Sequence, residues 1–354
     1  MSDNSHRLIK QCLVTNAKYL NLGNCGLTDR DFTEGSSIIQ DLKRCSGLQK
    51  LVLSNEYYDP FSGQKRLAEN SGKANHFSKF PESLYLLQEL NTLWFNGTRE
   101  QNWRVDNIDF VKNFPKLTHL SISYCNVGEI HIDRDYPALT YINVAYNKIK
   151  KITGLNYLEG LCEINLSKNQ LSDLSFIDTQ LPIKTLYISD NELVSIHGLE
   201  LLPELEILNL SRNPFKKLTQ FPLLSKLKSL TFEGNKLQTL TWFTTMVSLK
   251  ELNLTNNELT SLDGIGHLKS LQKVFLSNNK IMDLKGIENL AELEFIDLKK
   301  NNISDITPLV SFLEKKPTAE KSNFHFRKLQ NSERFLLADN PLTTPPIEIV
   351  QQGS

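Results

Sequence analysis

Five cysteines, at 12, 25, 45, 125 and 162, and seven histidines, at 6, 76, 119, 131, 197, 267 and 325, are the residues best equipped for metal or nucleophile chemistry. Their spacing supports neither. No CxxC, HExxH or GxSxG string occurs, and the phosphate-cradling GxxxxGK loop is absent. The nearest glycine pair, Gly264-Ile-Gly266, runs into His267 and Leu268 and reads as a turn. The best polar cluster is Glu129-Ile-His131-Ile-Asp133-Arg-Asp135, whose alternation would put Glu129, His131 and Asp133 on one side of an extended segment. The expected reading there is a solvated, salt-bridged surface, not a metal or acid-base site. No catalytic residue, metal or cofactor is expected.

The charge balance narrows the partners. Forty basic and forty acidic residues cancel, which removes the long-range field that nucleic-acid and anionic-membrane binders use. The amino terminus has no apolar leader, and no run of about 18 apolar residues occurs. The chain therefore reads as soluble and cytoplasmic, with all five cysteines reduced. Cys25 and Cys125 occupy equivalent positions three repeats apart, too far for a disulfide at about 4.8 Å per strand.

The elements that must position any binding residue follow from a repeat. Leu139-Thr-Tyr-Ile142-Asn-Val144-Ala-Tyr-Asn147-Lys-Ile149 aligns with Leu161-Cys-Glu-Ile164-Asn-Leu166-Ser-Lys-Asn169-Gln-Leu171, giving LxxLxLxxNxL. Its asparagine returns every 22 residues at Asn147, Asn169, Asn191, Asn213, Asn235, Asn257, Asn279 and Asn301. Earlier rungs are degenerate, and cysteine replaces asparagine at 25 and 125. A second apolar series, such as Leu259, Leu262, Ile265 and Leu268, steps by three, which suits 3₁₀-like turns.

This pattern resembles the leucine-rich-repeat family in its short 22-residue subclass. The resemblance implies an α/β solenoid: a right-handed arc with a concave parallel β-sheet and short 3₁₀ or irregular convex segments. The expected organisation is a capping helix at 1–16, about thirteen rungs over 17–342, and a cap or linker at 343–354. Insertions near 57–83, 96–112 and 308–331 break the period. The first carries Tyr57, Tyr58, Pro60, Phe61, Lys65 and Arg66. Sequons such as Asn165-Leu-Ser167, Asn209-Leu-Ser211 and Asn253-Leu-Thr255 recur with the period and need no sugar to explain them.

Alternation along LxL sends the leucines inward and frees the third, fifth, seventh and eighth repeat positions to meet a partner. These positions hold Trp94, His119, Tyr124, Tyr141, Tyr146 and Tyr187, the amphipathic aromatics that anchor protein interfaces. Toward the carboxyl end they hold Lys273, Phe275, Phe295, Lys299, Lys300 and Arg334, with Glu251 and Asp297 interspersed. That patch suits an acidic partner. Single-stranded nucleic acid would use the same residue types, but the balanced charge argues against it.

The closing string Asn340-Pro-Leu-Thr-Thr-Pro-Pro-Ile-Glu-Ile-Val-Gln-Gln-Gly353 is similar to the junction at which repeats pass into a Ras-like GTPase in bacterial Roco proteins. The resemblance implies the sensing or regulatory arm of a larger bacterial signalling protein, with a GTPase or effector domain following Ser354. The alternative is a stand-alone intracellular scaffold that cradles a partner enzyme. An enzyme with its site on an insertion would need convergent polar residues, which the insertions do not supply.

Overall fold

The computed structural model describes residues 3–58, 65–67, 69–136, 138–215, 218, 220–241, 246–314 and 335–343, with the backbone alone at 3, 57, 58, 65–67, 313, 314 and 335. Pro60, Phe61, Arg334, most of the third insertion and the closing string from 344 lie outside the described residues. Two compact units are present, one comprising residues up to Leu171 with Phe176–Ile183, the other Ser172–Ser175 and the residues from Lys184 onward.

Each unit is a parallel-sheet solenoid with one strand per repeat. In the first, strands Tyr19–Asn21, Lys50–Val52, Thr92–Trp94, His119–Ser121, Tyr141–Asn143 and Glu163–Asn165 pair in register. In the second, the order is Thr185–Tyr187, Ile207–Asn209, Ser229–Thr231, Glu251–Asn253, Lys273–Phe275, Phe295–Asp297 and Phe335–Leu336. The inward leucines are sealed, as with Leu208, Leu230 and Leu252 at 0% exposure. The chain returns through short 3₁₀ segments such as Leu155–Tyr157, Leu199–Leu201, Ile265–His267 and Ile287–Asn289. Each of these follows a glycine with φ between 80° and 109°, a backbone that side chains resist.

The asparagines tie rung to rung. Asn257 Nδ2 donates to Phe232 O and Leu254 O, each at 2.9 Å, while its Oδ1 accepts from Leu237 N at 3.1 Å. A second series explains the sequons. Asn165, Asn209 and Asn253 each accept from the backbone N–H two residues on at 3.0 Å, an Asx-turn that closes every such strand.

The cap is built from helix α1 (Asp3–Thr15), which buries Ile9 and Cys12, and helix α2 (Ser37–Arg44), which buries Ile38, Ile39 and Leu42. All five cysteines are free. Cys125 stands where a ladder asparagine would, and its thiol reaches Phe95 O at 3.3 Å. Burial pushes this thiol up to about 12 and that of Cys25 up to about 11, so both stay protonated and unreactive. Among the described residues no helix is long and apolar enough to cross a membrane.

The first insertion leaves the repeat at one defined place. Asn75 Oδ1 accepts from Cys25 N and Leu27 N, and its Nδ2 donates to Leu22 O and Leu53 O, both at 2.8 Å. These are the bonds of a ladder asparagine for the rung of Leu51 and Leu53, so the added residues run from 56 to 74, between the eighth and ninth repeat positions. Within them Glu56–Tyr58 and Lys65–Leu67 pair as an antiparallel hairpin. The second insertion departs one rung later from the same place, after Gly97, and returns at Trp103, whose N–H donates to Tyr124 O at 2.9 Å. A Cβ on Gly97 would lie 2.3 Å from that same Tyr124 oxygen, so only glycine lets the loop exit there.

Candidate protein-interaction site

In the rungs where no insertion leaves after it, the eighth repeat position has one backbone conformation. Asn24, Tyr124, Tyr146 and Lys168 in the first unit, and Asp190, Arg212, Gly234, Asn256, Asn278, Lys300 and Asp339 in the second, all have φ between 50° and 67°. This left-handed region costs an ordinary side chain about 1–2 kcal/mol, and glycine, asparagine and aspartate tolerate it best. Tyrosine at two successive rungs therefore works against the local backbone.

What the two tyrosines gain is each other. Their rings stack at 4.3 Å with an interplanar angle of 22°, and such pairs contribute about 0.5–1.5 kcal/mol beyond area burial. Lys168 Nζ sits 5.3 Å from the Tyr146 ring centre. Burial first, then the neighbouring phenol and the Glu56 carboxylate, pushes the Tyr124 phenol far above the usual range, with Arg99 opposing. Tyr124 is half-buried and Tyr146 is 39% exposed. Around them lies a shallow recess of about 260 Å³ lined by Arg99, Asn102, Tyr124, Tyr146, Lys148 and Lys168. Arg99 and Asn102 come from the second insertion, which opens beside this column.

His119 and Tyr141 form a second stacked pair, at 5.7 Å and 26°. They belong to the third repeat position, where Tyr141 stands in register between His119 and Glu163. Two expectations of exposure are corrected here. Tyr141 is 7% exposed and Trp94 is 6% exposed. Trp94 stands in register between Val52 and Ser121, both buried, and side chains one strand away help to cover it. Neither presents a free anchor.

Burial shapes the charges of this row. Desolvation, followed by Lys50, pushes the His119 imidazole below its ordinary 6.5, and desolvation pushes the Glu163 carboxyl above its ordinary 4.5. A histidine whose folded pKa is depressed contributes stability above the unfolded value, which is lost as pH falls through the folded one. An NMR titration of His119 is expected to give a midpoint below 6.5, and His119→Gln should flatten the pH dependence of stability just below that pH. A midpoint at or above 6.5 would show the ring to be solvated.

In the second unit, Tyr187 and Phe275 occupy the fifth position, where Asn209 and Asn253 make Asx-turns. An aromatic there gives up that bond. Phe275 meets Phe295 at 5.0 Å, both half-buried, and Lys273 is exposed beside them. Lys299 is half-buried, and its N–H donates to Asp297 Oδ1 at 3.1 Å. The eighth-position column is spent on itself: Arg212 forks onto Asp190 with two contacts of 2.8 Å, and Asn278 Nδ2 donates to Asn256 Oδ1. A Cβ on Gly234 would lie 2.8 Å from Arg212 Cγ, so that glycine makes room for the guanidinium.

The other candidates are plainer. Glu129–His131 pairs with Lys151–Thr153, His131 Nδ1 is 2.8 Å from Thr153 Oγ1, and Arg134 pairs with Asp133 at 3.2 Å. Among the described residues no group of three metal-ligating side chains forms. A larger hollow of about 620 Å³ beside α2 carries Asp29 and Glu34 against Lys43 and Lys79, and Asp29 is already bonded to Ser78.

Arg99 and Asn102 are the residues that the repeat pattern did not single out. The available signal was that an insertion opening at the eighth position must deliver its side chains beside eighth-position neighbours.

Leucine-rich-repeat family models match residues 269–311, as two copies, and residues 225–281. No curated protein sequence matches the chain. Among solved structures it is similar to an internalin of Listeria monocytogenes, with 20% identity and a TM-score of 0.62 over 88% of this chain and 92% of that one. It is also similar to a leucine-rich-repeat protein of Leptospira interrogans, with 21% identity and a TM-score of 0.62 over 97% and 96%. Identities this low carry the fold and leave function to the side chains. Residues 225–311 thus match leucine-rich-repeat models in sequence, and the chain has the fold of a leucine-rich-repeat solenoid.

Proposed function

We infer that this protein is a non-catalytic interaction module that holds a protein partner on the outward side of its repeat strands and along their eighth-position edge. The observation that carries the reading is the Tyr124–Tyr146 stack, set in a left-handed backbone that favours smaller residues, beside an insertion that delivers Arg99. Solenoid repeats present extended surfaces of this kind, and their specificity resides in residues the repeat does not need. Phe275 and Tyr187 meet the same criterion.

The repeat itself supplies fold-compatible test variants. Tyr146→Asn places in the left-handed column the residue found at 256 and 278, and Phe275→Asn restores the Asx-turn residue found at 253. With a partner captured from the source organism and purified, calorimetry is expected to show at least tenfold weaker binding for one or both variants at an unchanged melting temperature. Equal affinity across the wild type and both variants would overturn the reading. Truncating Trp94 or Tyr141 would test packing instead, because both are buried.

The closing string from Asn340 supports a finer reading, that the module acts as the regulatory arm of a Roco-type protein. An immunoblot of the source organism is expected to show a band well above 40.5 kDa; a band at that mass would favour the free-standing scaffold.

A further inference from the structure

Along the first strands of the chain the outward residues are buried to a degree that the repeat does not explain. At the fifth position of the first five rungs stand Asn21, Val52, Trp94, Ser121 and Asn143, each between 0% and 6% exposed. From Asn165 onward, every described residue at this position is half-buried. Residue type is not the cause. Asn21 and Asn143 accept from the N–H two residues on, at 2.9 and 3.1 Å, in the same Asx-turn that Asn165, Asn209 and Asn253 make. One side chain in one backbone setting is thus covered in some rungs and open in others. Trp94 is the extreme case. Its in-register neighbours Val52 and Ser121 are each smaller than an indole, so strand neighbours alone leave part of its large face bare.

The first insertion is tied down beside these strands. Asn21 Nδ2 donates to the Tyr19 phenol at 3.2 Å, and that phenol donates to Glu69 Oε1 at 3.2 Å. Asn70 Nδ2 donates to Asn21 O and Gly23 O at 3.0 and 2.9 Å, the carbonyls that a preceding rung would engage. A Cβ on Gly72 would lie 2.3 Å from Asn24 O, so the returning chain hugs the sheet edge. The outgoing chain starts at Glu56, directly after Asn55 at the eighth position of the second rung. Both limbs of the hairpin Glu56–Tyr58 and Lys65–Leu67 therefore begin beside the first two rungs. Residues 56–67, doubled back, reach at most roughly 20 Å, and the rungs of Val52 and Asn143 are about 14 Å apart.

We propose that the hairpin of the first insertion is a built-in occupant of the outward face of these strands, an internal ligand that a protein partner must displace to reach Trp94. The rungs from Asn165 on, with Tyr187 and Phe275, stay open. This rests on the reading of the chain as a protein-binding module and adds regulation to one of its surfaces. A short tether holds its ligand at about millimolar effective concentration, so only a partner that outcompetes that concentration lifts the hairpin.

The test is fluorine NMR on the full chain grown with 5-fluorotryptophan. Trp94, Trp103 and Trp242 give three resonances, which single phenylalanine variants assign, and a soluble gadolinium chelate broadens those of rings that meet solvent. Glu56 and Leu67 are partners in register, so Gly-Ser-Gly in place of residues 57–66 joins them. In this shortened chain the broadening of Trp94 is expected to rise at least threefold, while that of Trp103, buried in the core, stays unchanged. A second variant keeps the length and makes residues 57–66 glycine and serine, with the same expectation. By fluorescence anisotropy, a fluorescein-labelled peptide of residues 55–70 is expected to bind the shortened chain at least tenfold more tightly than the wild type, whose own hairpin holds the site.

Unchanged Trp94 broadening in both variants would mean that strand neighbours alone bury the ring, and would overturn the proposal. Equal binding of the peptide by the two chains, or no binding to the shortened chain up to millimolar concentration, would do the same. So would exposure of Trp103 together with Trp94 in both variants, because the insertion would then be part of the core and not a displaceable cover. None of these measurements reads the second unit. A captured partner that loses affinity with Phe275→Asn keeps the interaction module even where the hairpin proves not to cover Trp94. A partner indifferent to Phe275→Asn and Tyr146→Asn removes the module and leaves the hairpin result standing.

Discussion

Asn75→Ala is expected to lower the unfolding free energy of the amino-terminal rungs by about 4 kcal/mol, because each buried polar group left unsatisfied costs about 1–3 kcal/mol and this change leaves four. The four are Leu22 O, Leu53 O, Cys25 N and Leu27 N. Asn75 itself is 0% exposed, so water replaces none of these bonds without opening the core. Its backbone is also held reciprocally by Asn55, whose Oδ1 accepts from Asn75 N at 2.8 Å and whose Nδ2 donates to Asn75 O at 3.1 Å. Losing the side chain therefore loosens the return of the 56–74 insertion as well as the ladder. Asn257→Ala, in an uninterrupted rung, leaves three such groups, Phe232 O, Leu254 O and Leu237 N, and is expected to cost about 3 kcal/mol by the same count. Hydrogen exchange reads the difference directly: the amides of Cys25 and Leu27 should lose protection in Asn75→Ala and keep it in Asn257→Ala. Retained protection in both would mean that Asn75 does not complete the ladder.

Trp103→Ala is the second large effect, with an expected loss of about 3–5 kcal/mol, the range for removing a fully buried large aromatic side chain. Trp103 is 0% exposed and packs edge-on against Phe77 at 4.8 Å and Phe95 at 4.6 Å. Phe77 continues to Phe32 at 5.4 Å, and Phe95 to Phe80 at 5.1 Å. These rings fill the rungs where the leucine pattern is weakest. Trp103 Nε1 is buried without a hydrogen-bond partner among the described residues, so Trp103→Phe removes an unpaired donor while keeping a ring. That variant is expected to cost less than about 1.5 kcal/mol. Chemical denaturation of the three proteins checks the order; a phenylalanine variant as unstable as the alanine one would refute it.

These two residues mark where reading from sequence stopped short. The rungs from Leu139 to Asn301 are legible because every one repeats the same physical need: inward leucines at alternate positions and one buried amide per turn to bridge neighbouring backbones. Asn75 meets that need after 19 intervening residues, and no fixed spacing points to it. The equivalence of Tyr124 and Tyr146 follows from their separation of one period. Their stacking, and the recess they form with Arg99, do not.

By itself, the sequence determined the repeat, the parallel pairing of its strands and the side of the strand on which each residue lies, since all of these follow from local alternation and a constant period. Only the tertiary structure decided which outward residues remain outward. Trp94 and Tyr141 lie against neighbouring strands while Tyr146 reaches solvent, and the physical reason is that exposure depends on the size and placement of side chains one rung away, which alternation along a single strand does not encode.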